Sequence, residues 1–112
     1  MAERGAGDGL PSPFADDVLE IVDAIPEGMA VTYGDIAEML GAGGARGVGN
    51  VMARYGSGVP WWRVVRSDGR PAQGHEDEAM AAFRSEGTPL IGGTLGGRRV
   101  DLARARWSGP TR

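Results

Sequence analysis

Thr32-Tyr33-Gly34-Asp35-Ile36-Ala37-Glu38-Met39-Leu40-Gly41-Ala42-Gly43-Gly44-Ala45-Arg46-Gly47-Val48-Gly49-Asn50-Val51-Met52-Ala53-Arg54-Tyr55 is the stretch whose reading decides the fold. Thr32 followed three residues later by Asp35 has the spacing of a capping box, in which a hydroxyl and an acid satisfy each other's backbone amides at a helix start. Ile36, Ala37 and Leu40 then recur at helical spacing, and Gly41 marks a stop. The glycine turn Ala42-Gly43-Gly44 leads into a second helical stretch from Ala45 to about Tyr55, with Val48, Val51, Met52 and Tyr55 as its apolar stripe. Two helices joined by a short glycine-containing turn predict a helix-turn-helix.

Upstream, Ser12-Pro13 supplies a capping side chain and a proline at the first helical position, where no intrahelical N–H is needed. Phe14, Val18, Ile21, Val22 and Ile25 continue as an amphipathic helix that Pro26-Glu27-Gly28 ends. Downstream, Val59-Pro60-Trp61-Trp62-Arg63-Val64-Val65 reads as a short extended segment closed by the turn Ser67-Asp68-Gly69. Acids in the first turn favour a helix from Glu76 to Glu86 with Met80 and Phe83 inward, and Gly87 stops it. Residues 89–102 have the glycine content of a short hairpin or wing. The fold expected is mainly α with short β segments, a winged helix-turn-helix in one domain spanning 14–107. A disordered Gly/Pro-rich tail (1–13) and a C-terminal tail (108–112) are expected to flank it.

With 112 residues the chain has material for one core. It has no cysteine, which excludes disulfides, thiolate metal sites and cysteine nucleophiles, and its one histidine, His75, cannot build a metal cage. No apolar run approaches the roughly 20 residues of a membrane span and no signal-peptide core is present, so a cytoplasmic protein is expected. The formal net charge is −3. Its distribution matters more: residues 14–45 hold seven acids and no base, whereas residues 46–75 hold Arg46, Arg54, Arg63, Arg66 and Arg70 against Asp68 alone. Local sign, not the total, sets what a surface attracts, so the segment from residue 46 onward is the candidate for an anionic partner.

Gly47 and Gly49 inside a helix each cost about 1 kcal/mol relative to alanine. Either they permit close packing against a neighbouring helix, or with Ala45 they form a smooth face for a DNA groove. Arg46 and Arg54 on that helix are solvated side chains or phosphate contacts. Strand alternation would send Trp61 and Trp62 to opposite faces, Trp61 into a pocket and Trp62 toward the core.

From about residue 14 to Trp107 the chain resembles the C-terminal DNA-binding domain of the O6-alkylguanine-DNA alkyltransferases. The resemblance is carried by Thr32-Tyr33-Gly34-Asp35-Ile36-Ala37, Ala45-Arg46-Gly47-Val48-Gly49, Pro60-Trp61-Trp62-Arg63-Val64-Val65 and Val100-Asp101-Leu102-Ala103-Arg104. The family's active-site motif is Pro-Cys-His-Arg, so Trp61 stands at the acceptor cysteine, which points to the alkyltransferase-like branch. The resemblance implies that Arg46 takes the flipped base's place in the stack and that Tyr33 pushes on the target phosphate. It also implies that Ala45, Gly47 and Gly49 face the minor groove. Thr32, Asn50 and Arg54 complete the duplex-contacting set so implied, and Trp61, Trp62, Arg63, Val64 and His75 the lesion pocket. His75 falls where the family's pocket-closing loop should be, unless it is a plain surface histidine. The branch usually keeps the motif histidine, where this chain has Trp62. Glu86 matches the glutamate that this histidine links to the cysteine; with both partners gone, its alternative is a solvated helix-end acid.

The function so implied is a non-enzymatic sensor, with no cofactor and no metal, that binds O6-alkylguanine in double-stranded DNA as a monomer. It would mark the lesion for another pathway, with nucleotide excision repair proteins as partners. The competing reading is a winged-helix transcriptional regulator that reads sequence in the major groove. An enzyme with an unfamiliar nucleophile is a third, disfavoured because no histidine adjoins an activatable Ser or Thr in the sequence.

Overall fold

The computed structural model describes residues 12–93 and 97–110; the expected tail over residues 1–11 and the turn of the wing at 94–96 lie outside them. Helix α1 (Pro13–Ala24) is capped by Ser12, whose Oγ accepts from Ala15 N at 3.1 Å. Ser12 and Pro13, grouped with the tail on composition, therefore belong to the folded domain. Strand β1 (Val31–Thr32) runs directly into α2 (Tyr33–Leu40). The capping box is formed: Thr32 Oγ1 accepts from Asp35 N at 2.9 Å, and Asp35 Oδ2 accepts from Thr32 N at 3.0 Å. Gly41 ends α2 in the left-handed region, and α3 (Gly44–Tyr55) follows.

The turn between them depends on Gly43 at φ +83°, where a Cβ would stand 2.2 Å from the Phe14 ring. The helix pair and its turn match the sequence expectation, with α3 starting one residue earlier.

Val59–Arg63 departs from the expected strand. Trp61–Arg63 forms a 3-10 turn, with Arg63 N donating to Pro60 O at 3.1 Å, and only Val64–Val65 are extended, as β2. Proline fixes the local φ and removes a donor, so the chain turns before it can pair. β2 lies parallel to β1, Val31 opposite Val64 and Thr32 opposite Val65. Then come α4 (Glu76–Glu86), the antiparallel wing strands β3 (Leu90–Ile91) and β4 (Arg99–Val100), and α5 (Leu102–Ala105). Helix α5 was not expected: Asp101, read as part of the wing, accepts from Ala103 N and caps it.

The β1–β2 pair separates two cores. Val31 and Val64 face Val18, Val22, Ile36 and Val48 of the three-helix cluster, while Ala30 and Val65 face Ala79, Phe83, Val100 and Ala105. Alternation of side chains along a strand makes this division. Trp107 packs against the first cluster, and Gly109 is buried against Met39, so the expected C-terminal tail is folded in its described part. Among the described residues no helix is long and apolar enough to cross a membrane.

Candidate nucleic-acid interface

Helix α3 presents three faces. Val48 and Val51 are buried in the core, with Met52 and Tyr55 packed against it. Gly47 faces α1: a Cβ there would lie 3.6 Å from the Phe14 ring, an ordinary contact. Gly49 has open space around it. Close packing therefore requires neither glycine, since a Cβ at Gly47 would make only an ordinary contact and one at Gly49 would meet nothing; the smooth-face reading is the one that fits Gly49. Ala45, Arg46, Asn50 and Ala53 are exposed, and helical spacing puts Arg46, Gly49, Asn50 and Ala53 on the side away from the core. Arg54 is exposed with its guanidinium 5.7 Å from the Tyr55 ring centre, at the edge of that face. Helix α3 has no side-chain cap at Gly43, so its first amides lack a local acceptor.

Thr32 is not presented to a partner. It is 5% exposed, and its hydroxyl accepts the capping bond from Asp35. Asp35 in turn accepts from Arg106 Nε at 3.0 Å, tying the helix-turn-helix to the C-terminal segment. Tyr33, the first residue of α2, is partly buried; burial pushes its phenol pKa up and the Arg66 charge opposes this less strongly. The phenol stays protonated and can donate to an anion.

Beside α3 lies a cavity of about 570 Å³, within the size range of small-ligand sites. Tyr33, Gly49 and Met52 form its helix-turn-helix side, and Trp61, His75 and Glu78 the opposite side. Trp61 makes an edge contact with Trp62 (centroids 5.7 Å, 83°) and a tilted one with His75 (5.5 Å, 59°). His75 Nδ1 lies 3.5 Å from Glu78 Oε1. The histidine is at once largely exposed and part of the lining. Ser57 also lines the cavity, but no hydrogen bond joins it to His75 among the described residues.

Trp62, Arg63 and Val64, which the resemblance placed in the pocket, are not in its lining; Trp62 packs against the second core cluster, on the inward side that alternation gave it. In a 3-10 turn successive side chains diverge by about 120° rather than alternating, and Trp62 swings toward α4. Its Nε1 donates to Glu86 Oε2 at 2.9 Å. Arg63 grips the same carboxylate with both ends of its fork, Nε to Oε1 at 3.1 Å and Nη2 to Oε2 at 2.6 Å, while Nη1 donates to Ile25 O at 2.7 Å. Gly28 N donates to Glu86 Oε1 at 3.3 Å. Val64 is buried in β2.

Glu86 is therefore no solvated acid. Its side chain is 10% exposed and that of Arg63 11%. Burial alone pushes its pKa up, the largest single influence, but the bonds from Arg63, Trp62 and Gly28 and the Arg63 charge together bring it below the ordinary value. The indole of Trp62 gives this carboxylate a donor where the motif histidine would stand. Sequence reasoning passed over Met52, Ser57, Gln73 and Glu78 as cavity residues. The spacing of Gly49, Met52 and Ala53 along α3, continued by Gly56 just after it, was the signal for Met52, whereas the far wall comes from non-local packing.

The 6-O-methylguanine DNA methyltransferase DNA-binding domain matches residues 13–88. A DNA base-flipping protein of Escherichia coli is 39% identical over 100 residues, covering 85% of this chain and 74% of that one. Alkyltransferase-like protein 1 of Schizosaccharomyces pombe is 32% identical over 101 residues, covering 84% and 94%. The crystal structure of S. pombe Atl1 in complex with damaged DNA containing O6-carboxymethylguanine superposes with a TM-score of 0.72 at 31% identity, covering 84% of this chain and 94% of that one. On a match that runs from the first helix through α4, and on a shared three-dimensional arrangement, this chain belongs to the 6-O-methylguanine DNA methyltransferase DNA-binding domain family, with the alkyltransferase-like fold.

Proposed function

We propose that this protein is a non-enzymatic sensor of O6-alkylguanine in duplex DNA. Helix α3 enters the minor groove with Arg46, Gly49 and Asn50 toward the duplex, the alkylated base turns out into the cavity, and Arg46 fills the gap left in the stack. Extrusion costs least where pairing is already weakened, so an alkylated guanine is selected in part before it is touched. The bound lesion is then handed to another pathway, such as nucleotide excision repair.

The observation that carries this reading is the cavity itself. It opens beside the exposed face of α3 and is walled by the indole of Trp61, in a chain without cysteine. An aromatic wall there can stack on a flipped base, but carries no thiol to accept an alkyl group. The base-flipping name of the E. coli relative and the damaged-DNA complex of the S. pombe structure support the same reading.

The test compares binding to one duplex carrying guanine or O6-methylguanine at a single position. A preference of tenfold or more for the lesion, about 1.4 kcal/mol, is expected. Equal affinity would refute the sensor and leave the sequence-reading regulator. Mass spectrometry on the same mixtures should find the protein unchanged; a gain of about 14 Da, one methyl replacing hydrogen, would restore the enzyme reading.

A further inference from the structure

Helix α4 has a second open side. Glu76, Met80 and Arg84, spaced four apart along one stripe, line a groove of about 450 Å³, closed by Arg66, Arg70 and Pro71 from the turn after β2 and by Arg98 just before β4. Four guanidinium groups thus meet one carboxylate, in a chain whose formal net charge is −3. Arg70 is held within the fold, whereas Arg66 is held only in part and Arg84 and Arg98 stand open. Arg66 uses Nε on Pro71 O at 3.0 Å, and its Nη groups make no hydrogen bond among the described residues. Arg70 pairs with Asp68 at 2.6 Å, and Glu76 Oε1 accepts from Gly74 N at 3.0 Å. Arg84 and Arg98 are exposed and have no hydrogen bond or ion pair among the described residues.

The planar fork of arginine matches the oxygens of a phosphate. We propose that the groove formed by Arg66, Arg70, Arg84 and Arg98 is a second, sequence-independent phosphate site, which holds the DNA backbone on the side of α4 away from the base cavity. A continuous strand is favoured over an acidic protein segment because one helix, α4, separates the two openings. A helix is roughly 10–12 Å across, about the axial rise of three nucleotides at 3.4 Å each. A strand that delivers a base to the cavity therefore reaches the groove within a few nucleotides. The inference rests on DNA binding but not on lesion preference.

The test is the salt dependence of binding by the full chain and by the double variant Arg84→Gln/Arg98→Gln, between 50 and 200 mM salt, on undamaged and O6-methylguanine duplexes. Each phosphate contact contributes about 0.9 to the slope of log K against log salt. The double variant should lose about 1.8 of slope on both duplexes, so that wild type falls about twelvefold more across this fourfold salt range. Arg98→Gln alone, at an exposed position, should lose about half as much slope. An unchanged slope overturns the proposal; if wild type then binds polyglutamate and the double variant does not, the groove takes a protein segment instead. Failure of the lesion reading shows separately, as equal affinity of wild type for the two duplexes, and leaves the slope comparison intact.

Discussion

Replacing Glu86 by alanine should be among the most damaging single changes outside the apolar cores. It removes the acceptor of four donors at once: Trp62 Nε1, Arg63 Nε and Nη2, and Gly28 N. Arg63 is left with one hydrogen bond, to Ile25 O, at 11% side-chain exposure. Stranding one charge of a buried ion pair costs about 3–5 kcal/mol. The residual access of both groups lets some water in, so the lower end, about 3 kcal/mol, is expected. With a urea m value of about 1.5 kcal/mol/M for a domain of this size, the unfolding midpoint should fall by about 2 M. Glu86→Gln keeps the shape and one acceptor oxygen and should cost about 2 kcal/mol. The pH dependence supplies an internal check. Glu86 titrates below its ordinary 4.5 when folded, so the unfolded chain binds its proton first on acidification. Its contribution is complete above that pH and is lost as pH falls through the lowered folded value. The stability gap between wild type and Glu86→Gln should therefore be flat from pH 7 to 5 and close below about pH 4.5. A midpoint shift under about 0.3 M for Glu86→Ala, or a gap unaffected by acid, would show that the cluster does not hold the Trp61–Arg63 turn in place.

Arg46→Ala should weaken binding to an O6-methylguanine duplex by about 1–3 kcal/mol and to undamaged duplex by less, with reduced 2-aminopurine fluorescence at the lesion site. Equal losses on both duplexes with one unit less salt slope would make Arg46 a phosphate contact only. Gly69→Ala should destabilise by at least about 2 kcal/mol, because φ is +90° and a Cβ would stand 2.4 Å from the Val100 carbonyl oxygen. An unfolding midpoint unchanged by that substitution would show that the turn and β4 can move apart freely.

What the sequence made legible was local. Ser12-Pro13, the Thr32/Asp35 pair, Gly41 and Gly87 punctuate the chain with chemistry that acts within four residues, and α1, α2 and α4 keep the limits those signals set. The Trp61–Arg63 turn was misread because aromatic and β-branched residues favour strands on average, whereas here Pro60 and the pull of Glu86 on Trp62 and Arg63 decide the backbone. The pairing of Val31 with Val64, and of Glu86 with residues 23 and 24 positions earlier, leaves no periodic trace in the sequence. At the site, Trp61 and His75 line the cavity, and the divergence of Trp61 and Trp62 was legible from alternation, although a 3-10 turn rather than a strand produces it.

The division of the interior by β1 and β2 also sets an order of assembly. The first cluster draws chiefly on residues 14–55, so most of it can gather from contacts close in sequence, the kind that form fastest. The second takes Ala30 from the front of the chain but waits for Val100 and Ala105, and the bridge from Ala30 to Arg106 closes it. During synthesis the three-helix part can therefore consolidate while the wall bearing Trp61, Trp62 and Phe83 still exposes its apolar surface. The same half, held by later and more distant contacts, should open first in the native state, and amides of α4 should exchange with solvent ahead of those of α1.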